Sequence, residues 1–233
     1  MKNSLVNSLE KSPKNKTLSK IAIVHSLFKE KFSIPRQPGL VSFESKIEML
    51  PPYNRPEALA GLEDFSHLWV IFDFHGIETT DNSSLTVRPP RLGGNKKRGV
   101  FATRSPNRPN NIGLSLVKLL RIEGTNLIIS GGDFLDQTPV YDIKPYLKEI
   151  ESHPEAHSGW TDDLSNTRLK VVFHCECDEN LDESLKEKII EVLSLDPRPR
   201  YHEDGYKQYG SRLGEVDVHW EVIEGVVRVL EII

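Results

Sequence analysis

Apolar positions in this chain fall in short runs, many with a repeat of two, and Gly, Pro and Asn punctuate them. Lys20 to His25 (K-I-A-I-V-H) is a short apolar strand, and Ser45 to Leu50 (S-K-I-E-M-L) alternates with period two. His67 to Phe74 (H-L-W-V-I-F-D-F) is nearly continuously apolar and β-rich, as expected of a strand buried on both faces. Gly99 to Thr103 is another short candidate, and Val140 to Ile143 one more. Leu114 to Ile122 and Asn126 to Ser130 flank Glu123-Gly124-Thr125, a hairpin signal. One brief helix is predicted, capped by Asn54 with Pro56 in its first turn and Glu57 behind it. Seven short strands and a single short helix predict a mainly β fold with a closed antiparallel barrel over residues 17–150. Closure also removes the exposed strand edges that invite aggregation.

The pattern changes further on. Residues 151–167 are polar and aperiodic and read as a linker. Arg168 to Cys175 is a strand, and Leu181, Leu185, Ile189 and Leu193 share one face of a helix. Asp196 to Leu213 reads as an irregular aromatic and basic loop. Val216 to Val222 and Val226 to Ile232 form a hairpin around Glu224-Gly225. Residues 168–233 are therefore predicted as a small α+β domain. Residues 1–16 alternate Lys, Ser and Asn with isolated leucines, and read as a flexible leader without a secretory signal's apolar core.

Charge adds a second layer. The chain carries 30 basic and 34 acidic residues. Yet from Asn82 to Ile122 there is no Asp or Glu, and nine Lys and Arg stand there, leaving the rest strongly acidic. An otherwise acidic protein with one basic band has a field aimed at a polyanion, and a phosphate backbone is the commonest such ligand. Arg88, Arg91, Lys96, Lys97, Arg98 and Arg108 are the candidates for those contacts. Pro and Gly interleave them, which is the texture of folded surface, not of a tail.

Several chemistries are unsupported. There is no G-x-G-x-x-G after a strand, no G-x-x-x-x-G-K-[ST], no G-x-S-x-G and no H-E-x-x-H. Gly93-Gly94 and Gly131-Gly132 read as tight turns. Cys175 and Cys177 with His174 fall short of a four-ligand zinc site, so no metal is expected, and no disulfide either. No apolar run approaches the roughly 20 residues that cross a bilayer, so no membrane partner is expected and the cytoplasm is the default compartment.

Four ordered blocks carry a family resemblance: Ile34-Pro-Arg-Gln-Pro-Gly39, Val87-Arg-Pro-Pro-Arg-Leu-Gly-Gly-Asn95, Gly99-Val-Phe-Ala-Thr-Arg-Ser-Pro-Asn-Arg-Pro-Asn110 and Leu135-Asp-Gln-Thr-Pro-Val-Tyr-Asp-Ile-Lys-Pro-Tyr146. Together they closely resemble the TrmO (TsaA-like) family of S-adenosylmethionine-dependent tRNA methyltransferases, and Asp196-Pro-Arg-Pro-Arg-Tyr201 extends the likeness. The resemblance implies a β-barrel methyltransferase that modifies N6 of N6-threonylcarbamoyladenosine, next to the anticodon of threonine tRNA. It also implies a homodimer with the donor bound near the subunit boundary. Carried onto this chain, the S-adenosylmethionine site comprises Pro35, Arg36, Gln37, His75, Gly76, Arg104, Leu114, Leu135, Asp136, Gln137 and Thr138. Asn111 stands where the family usually has Pro, and Gln137 where Gly is common, so a strained or altered dihedral is expected at Gln137.

Structural readings stand beside these roles. Asp136 either binds ribose hydroxyls or caps the turn before Thr138, and Leu114 packs against adenine or belongs to the core. A proton must leave the acceptor nitrogen, and Asp136, Asp142, His75 and Tyr141 are the groups that could accept or relay it. Tyr201, Tyr206 and Tyr209 either stack on splayed anticodon-loop bases or pack the small domain. The competing functions are a non-enzymatic RNA-binding barrel and a methyltransferase with a different acceptor.

Overall fold

The computed structural model describes residues 17–77, 85–89, 96–162, 167–174, 181–198 and 205–233. Six strands close into an antiparallel barrel: β1 (Ala22–His25), β2 (Glu44–Met49), β3 (His67–Asp73), β6 (Ile112–Glu123), β7 (Asn126–Ser130) and β8 (Thr138–Pro145), in the order β1-β2-β7-β6-β3-β8. Two further strands, β4 (Thr86–Val87) and β5 (Arg98–Gly99), pair only with each other. The barrel is filled by residues that alternate along the strands, among them Val24, Ile47, Leu68, Val70, Phe72, Val117, Leu127, Ile129 and Val140.

Three sequence expectations change. The seventh barrel strand is absent: after β5, Val100–Ala102 winds into a single 3-10 turn, with both the amide and the hydroxyl of Thr103 donating to Val100 O. Strand β3 buries one face only. Leu68, Val70 and Phe72 point inward, while Trp69 on the outer face meets Tyr146 edge-on and donates its indole N–H to Glu151 at 2.8 Å. The short helix α1 (Pro56–Leu59) starts from Arg55 without a side-chain cap, and not from Asn54. A second short helix, α2 (Lys148–Glu151), follows β8.

The register fixes a simple geometry. His25, Asp73 and Ser130 end their strands at the same rim at which Glu44, Ile112 and Thr138 begin theirs. The connections 26–43, 74–111 and 131–137 therefore all leave that rim, and the other rim carries the tight β6–β7 turn and residues 50–66. Gly131 lets two of the rim connections touch backbone to backbone. It holds φ +80°, and a Cβ there would come within 3.3 Å of Gly39, whose amide donates to Gly131 O at 2.8 Å.

In the C-terminal part, β9 (Lys170–Phe173), β10 (Gly205–Leu213), β11 (Val216–Ile223) and β12 (Val226–Ile232) form a sheet in the order β10-β11-β12-β9, with β9 parallel to β12. Helix α3 (Glu183–Leu193) starts at Asp182, whose carboxylate accepts from the Leu185 amide at 3.0 Å, and buries Ile189, Val192 and Leu193. The second half of the expected irregular loop is the nine-residue strand β10. Trp220 is fully buried at the centre of this unit's core, and Phe28, Val41 and Phe43 from the β1–β2 connection complete it. The Ser33 hydroxyl donates to Ser211 Oγ at 2.6 Å, which also accepts from Trp220 Nε1 at 2.9 Å. Residues 27–43 thus leave the barrel and are seated in the second core.

Candidate active site

Every residue of the expected donor site except Leu114 lies in the three connections of one rim or on the first residue of β8. The connection 131–137 is laced to 26–43: the amides of Asp136 and Gln137 donate to Phe28 O and Val24 O at 2.7 and 2.8 Å. Gln137 holds φ 65°, the left-handed region that favours Gly, so of the two outcomes expected there the strained one is found. Thr138 is buried, with its hydroxyl on Leu135 O at 2.7 Å and 3.4 Å from His75 Nδ1. Gly76 lies against Leu135 and Lys31. A Cβ there would approach Lys31 Cε to 2.6 Å, while the Lys31 ammonium donates to Gly76 O.

On the other side of the rim, Arg104 donates to Gln37 Oε1 at 2.7 Å, joining two of the matched blocks. Pro35 is buried. Arg36 turns the other way, and its Nη2 donates to the main-chain oxygens of Asp196 at 3.2 Å and Arg198 at 2.8 Å. Asp136 accepts from the Ser26 amide at 2.9 Å and from Lys29 at 2.8 Å. Partial burial raises its pKa, but the Lys29 ammonium and the Ser26 amide outweigh that and hold the carboxyl below its ordinary value. Leu114 points outward from β6, 53 % exposed, beside the exposed Ile112.

The four proton-acceptor candidates are not equivalent. His75 and Tyr141 line one cleft of about 490 Å³ with Asp73, Asn110 and Asn111. Asp136 lines a different hollow of about 370 Å³, with Lys29 and Lys188. Asp142 is half-exposed and paired with Lys144 at 2.9 Å, outside both. Burial and the adjacent Asp73 raise the Tyr141 pKa, so its phenol stays protonated.

Sequence reasoning missed Asp133. Its carboxylate accepts from the buried Ser115 hydroxyl at 2.6 Å. Burial pushes its pKa up to about 6, against the opposing pull of the Ser115 hydroxyl, its own amide and Arg104. A lone Asp between a glycine pair and an apolar run carries no pattern, and only the fold brings it to Ser115.

The described basic residues that precede β6, from Arg88 to Arg108, belong to the 74–111 connection of the same rim. Arg88, Lys96 and Lys97 are exposed around the β4–β5 ribbon, and Arg98 is half-buried, its Nε without a hydrogen-bond partner among the described residues. Arg108 folds back onto its own loop, with Nη1 3.3 Å from both Thr103 O and Ser105 O. Trp160 anchors the following turn by donating to Ala102 O at 2.9 Å, and Phe101 on that turn is 77 % exposed. Tyr209 is a packing residue, stacked on Trp220 at 4.8 Å between ring centroids. Arg91, Tyr201, Cys175 and Cys177, and the side chain of Tyr206, lie outside the described residues. Among the described residues no three or more His, Cys, Asp and Glu gather as metal ligands, and no helix is long and apolar enough to cross a membrane.

A closed antiparallel barrel with its motif loops and a cationic ribbon on one rim is the build of a barrel methyltransferase that faces nucleic acid. Two family models, together spanning most of the chain, agree: residues 23–152 match the tRNA-methyltransferase O N-terminal domain, and residues 166–233 match the TrmO C-terminal domain. The chain belongs to the TrmO family. It is 42 % identical over 219 residues to the tRNA (adenine(37)-N6)-methyltransferase of Escherichia coli, covering 88 % of this chain and 92 % of that protein. It is also 42 % identical over 226 residues to a Pseudomonas aeruginosa protein described as an S-adenosylmethionine-dependent methyltransferase, covering 93 % and 97 %. A crystal structure of TrmO from Pseudomonas aeruginosa superposes with a TM-score of 0.79 at 36 % identity, covering 96 % of this chain and 99 % of that one.

Proposed function

We propose that this protein transfers a methyl group from S-adenosylmethionine to N6 of N6-threonylcarbamoyladenosine, next to the anticodon of threonine tRNA. The reading extends to a cytoplasmic homodimer with the donor bound near the subunit boundary. One observation carries it: the donor-matched loops and the basic ribbon leave the same rim of one barrel. A polyanion held by Arg88, Lys96, Lys97 and Arg98 would bring its bases to those loops.

The residues at the rim suit a zwitterionic nucleoside. Among the described contacts, the Arg104 guanidinium donates only to Gln37, leaving N–H groups for a carboxylate. Gln37 and Asp136 offer an amide and a carboxylate to the polar edges of a nucleoside, Leu135 an apolar wall, and the buried Thr138 hydroxyl holds the Leu135 main chain in place. When bound, S-adenosylmethionine supplies a methyl group on a positively charged sulfur, already activated for in-line displacement. The residues of this chain then contribute alignment and exclusion of water. Lacing of 131–137 onto 26–43 sets that alignment before any ligand arrives.

The outward face of β6 supports the dimer. Ile112 and Leu114 are exposed on neighbouring outward positions of it, an apolar pair at the rim of the proposed donor site. Leu114→Lys is expected to halve the mass measured by sedimentation, and an unchanged mass would remove the subunit-boundary reading.

The deciding experiment is mass spectrometry of tRNA nucleosides from cells with and without the gene. The methylated form of threonylcarbamoyladenosine should vanish on deletion and return with the wild-type chain. Identical nucleoside profiles would sink the proposal.

A further inference from the structure

A β-bulge sits where β8 crosses β3. Ile71 pairs with Asp142 and Phe72 with Val140, so Tyr141 is an extra residue with no partner of its own. Inward burial along β8 follows Thr138 and Val140 and then breaks step at 141. Bulges re-aim a side chain out of a regular ladder, and are common beside active sites. Here the bulge brings Tyr141 to the same cleft as Asp73, the last residue of β3.

That pair lines the cleft of about 490 Å³, together with His75, Asn110 and Asn111. The volume suits a small planar ligand. No Lys or Arg is among its described lining residues, although the basic ribbon belongs to the same connection. The cleft is thus matched to an uncharged group with a hydrogen-bonding edge, not to a phosphate. It adjoins the donor set through His75, whose Nδ1 lies 3.4 Å from Thr138 Oγ1.

We infer that this cleft receives the acceptor base, an adenine whose exocyclic amine is acylated, and that Asp73 takes the proton from that nitrogen. The two side-chain amides offer donors and acceptors to the base edge and its ureido substituent. In the transfer, the exocyclic nitrogen bonds to the donor methyl carbon, and sulfur keeps the pair from the broken carbon–sulfur bond. The positive charge passes to the nitrogen, whose N–H proton then moves to the Asp73 carboxylate. Tyr141 is a positioning residue: the bulge turns it into the cleft that Asp73 lines, where its phenol serves to aim the carboxylate.

The inference rests on the reading above, and the test separates the two. Asp73→Asn and Tyr141→Phe are compared with wild type for S-adenosylmethionine affinity by calorimetry, tRNA affinity, and single-turnover methyl transfer. Both affinities should stay within about twofold. Transfer should fall by about 100-fold or more for Asp73→Asn, the scale of a lost general base, and by about tenfold for Tyr141→Phe. If wild type transfers no methyl to threonylcarbamoyladenosine in tRNA, the proposed function itself is wrong. If wild type is active and Tyr141→Phe and Asp73→Asn match it, only the cleft assignment falls. Loss of donor affinity in Tyr141→Phe likewise overturns it, because the cleft would then serve the donor.

Discussion

Arg36, inside one of the motif blocks, donates to the main-chain oxygen of Arg198 at 2.8 Å and ties a barrel loop to the C-terminal part. Arg198 is itself held by Asp196 through two hydrogen bonds, at 2.7 and 3.0 Å. Gln37, the next residue, binds Arg104, so the brace reaches the rim of the proposed donor site through one peptide unit. Arg36→Ala is expected to weaken S-adenosylmethionine binding about tenfold, since bonds from a charged donor are worth roughly 1.5–3 kcal/mol. Calorimetry checks this, with a thermal melt to show that the fold persists; unchanged affinity would detach Arg36 from the site.

Among the described hydrogen bonds, Ser33 Oγ and Trp220 Nε1 both donate to Ser211 Oγ. Ser211→Ala removes the oxygen that accepts from both Ser33 and the indole. Leaving buried donors unsatisfied costs about 1–3 kcal/mol. Denaturant unfolding should show that loss with an unchanged slope.

Asp133 gives a pH signature. Its pKa in the fold is about 6 against 3.8 for an ordinary Asp, so the fold favours the protonated carboxyl. Its stabilising contribution is complete below pH 3.8 and is lost as pH rises through about 6. Asp133→Asn, which keeps a group for the Ser115 hydroxyl, should therefore stabilise the protein at pH 7.5 by up to a few kcal/mol. The advantage over wild type should shrink as pH falls from about 6 towards 4. Melting curves across that range test it, and an advantage that grows on acidification contradicts the assignment.

Lys96, Lys97 and Arg98 together are expected to neutralise phosphates. Changing all three to Ala should reduce the slope of log affinity against log salt by about two to three and weaken tRNA binding at every sequence alike. A slope identical to wild type would leave the basic ribbon without a role in tRNA binding.

Gly113 faces the barrel interior where Phe72 crosses it. A Cβ there would lie 2.2 Å from the Phe72 ring, which is locked edge-on against Phe74 and Phe134. Gly113→Ala should cost about 1–3 kcal/mol or more by overpacking. A melting temperature equal to wild type would show that the ring has room to move.

Much of this was legible beforehand, for physical reasons. Strands such as Glu44–Met49 bury one face, and that prints a period of two on the sequence. Helix α3 prints its stripe in the same way. Gly205–Leu213 prints nothing, because Gln, Ser, Arg and Gly alternate with few apolar residues and the partner strand β11 supplies the pairing. Val100 and Phe101 look like strand but wind into a turn closed by Thr103, a local hydrogen bond that outweighs a weak propensity. The motif blocks marked the loops expected to hold the donor, yet that these loops share a rim emerges only once barrel order is known. Asp73 and Asp133 stayed hidden because their partners, Tyr141 and Ser115, come from other strands. The bulge that re-aims Tyr141 depends on the register of two strands at once.

Seating Phe28, Val41 and Phe43 against Trp220 has a consequence for biosynthesis. These side chains leave the ribosome well before the hairpin that carries Trp220 and covers them. Through most of translation an oily patch beside the nascent barrel stays open to water and to chaperones. Premature termination before Val216 should therefore leave sticky, insoluble fragments, however well the six-stranded barrel has closed.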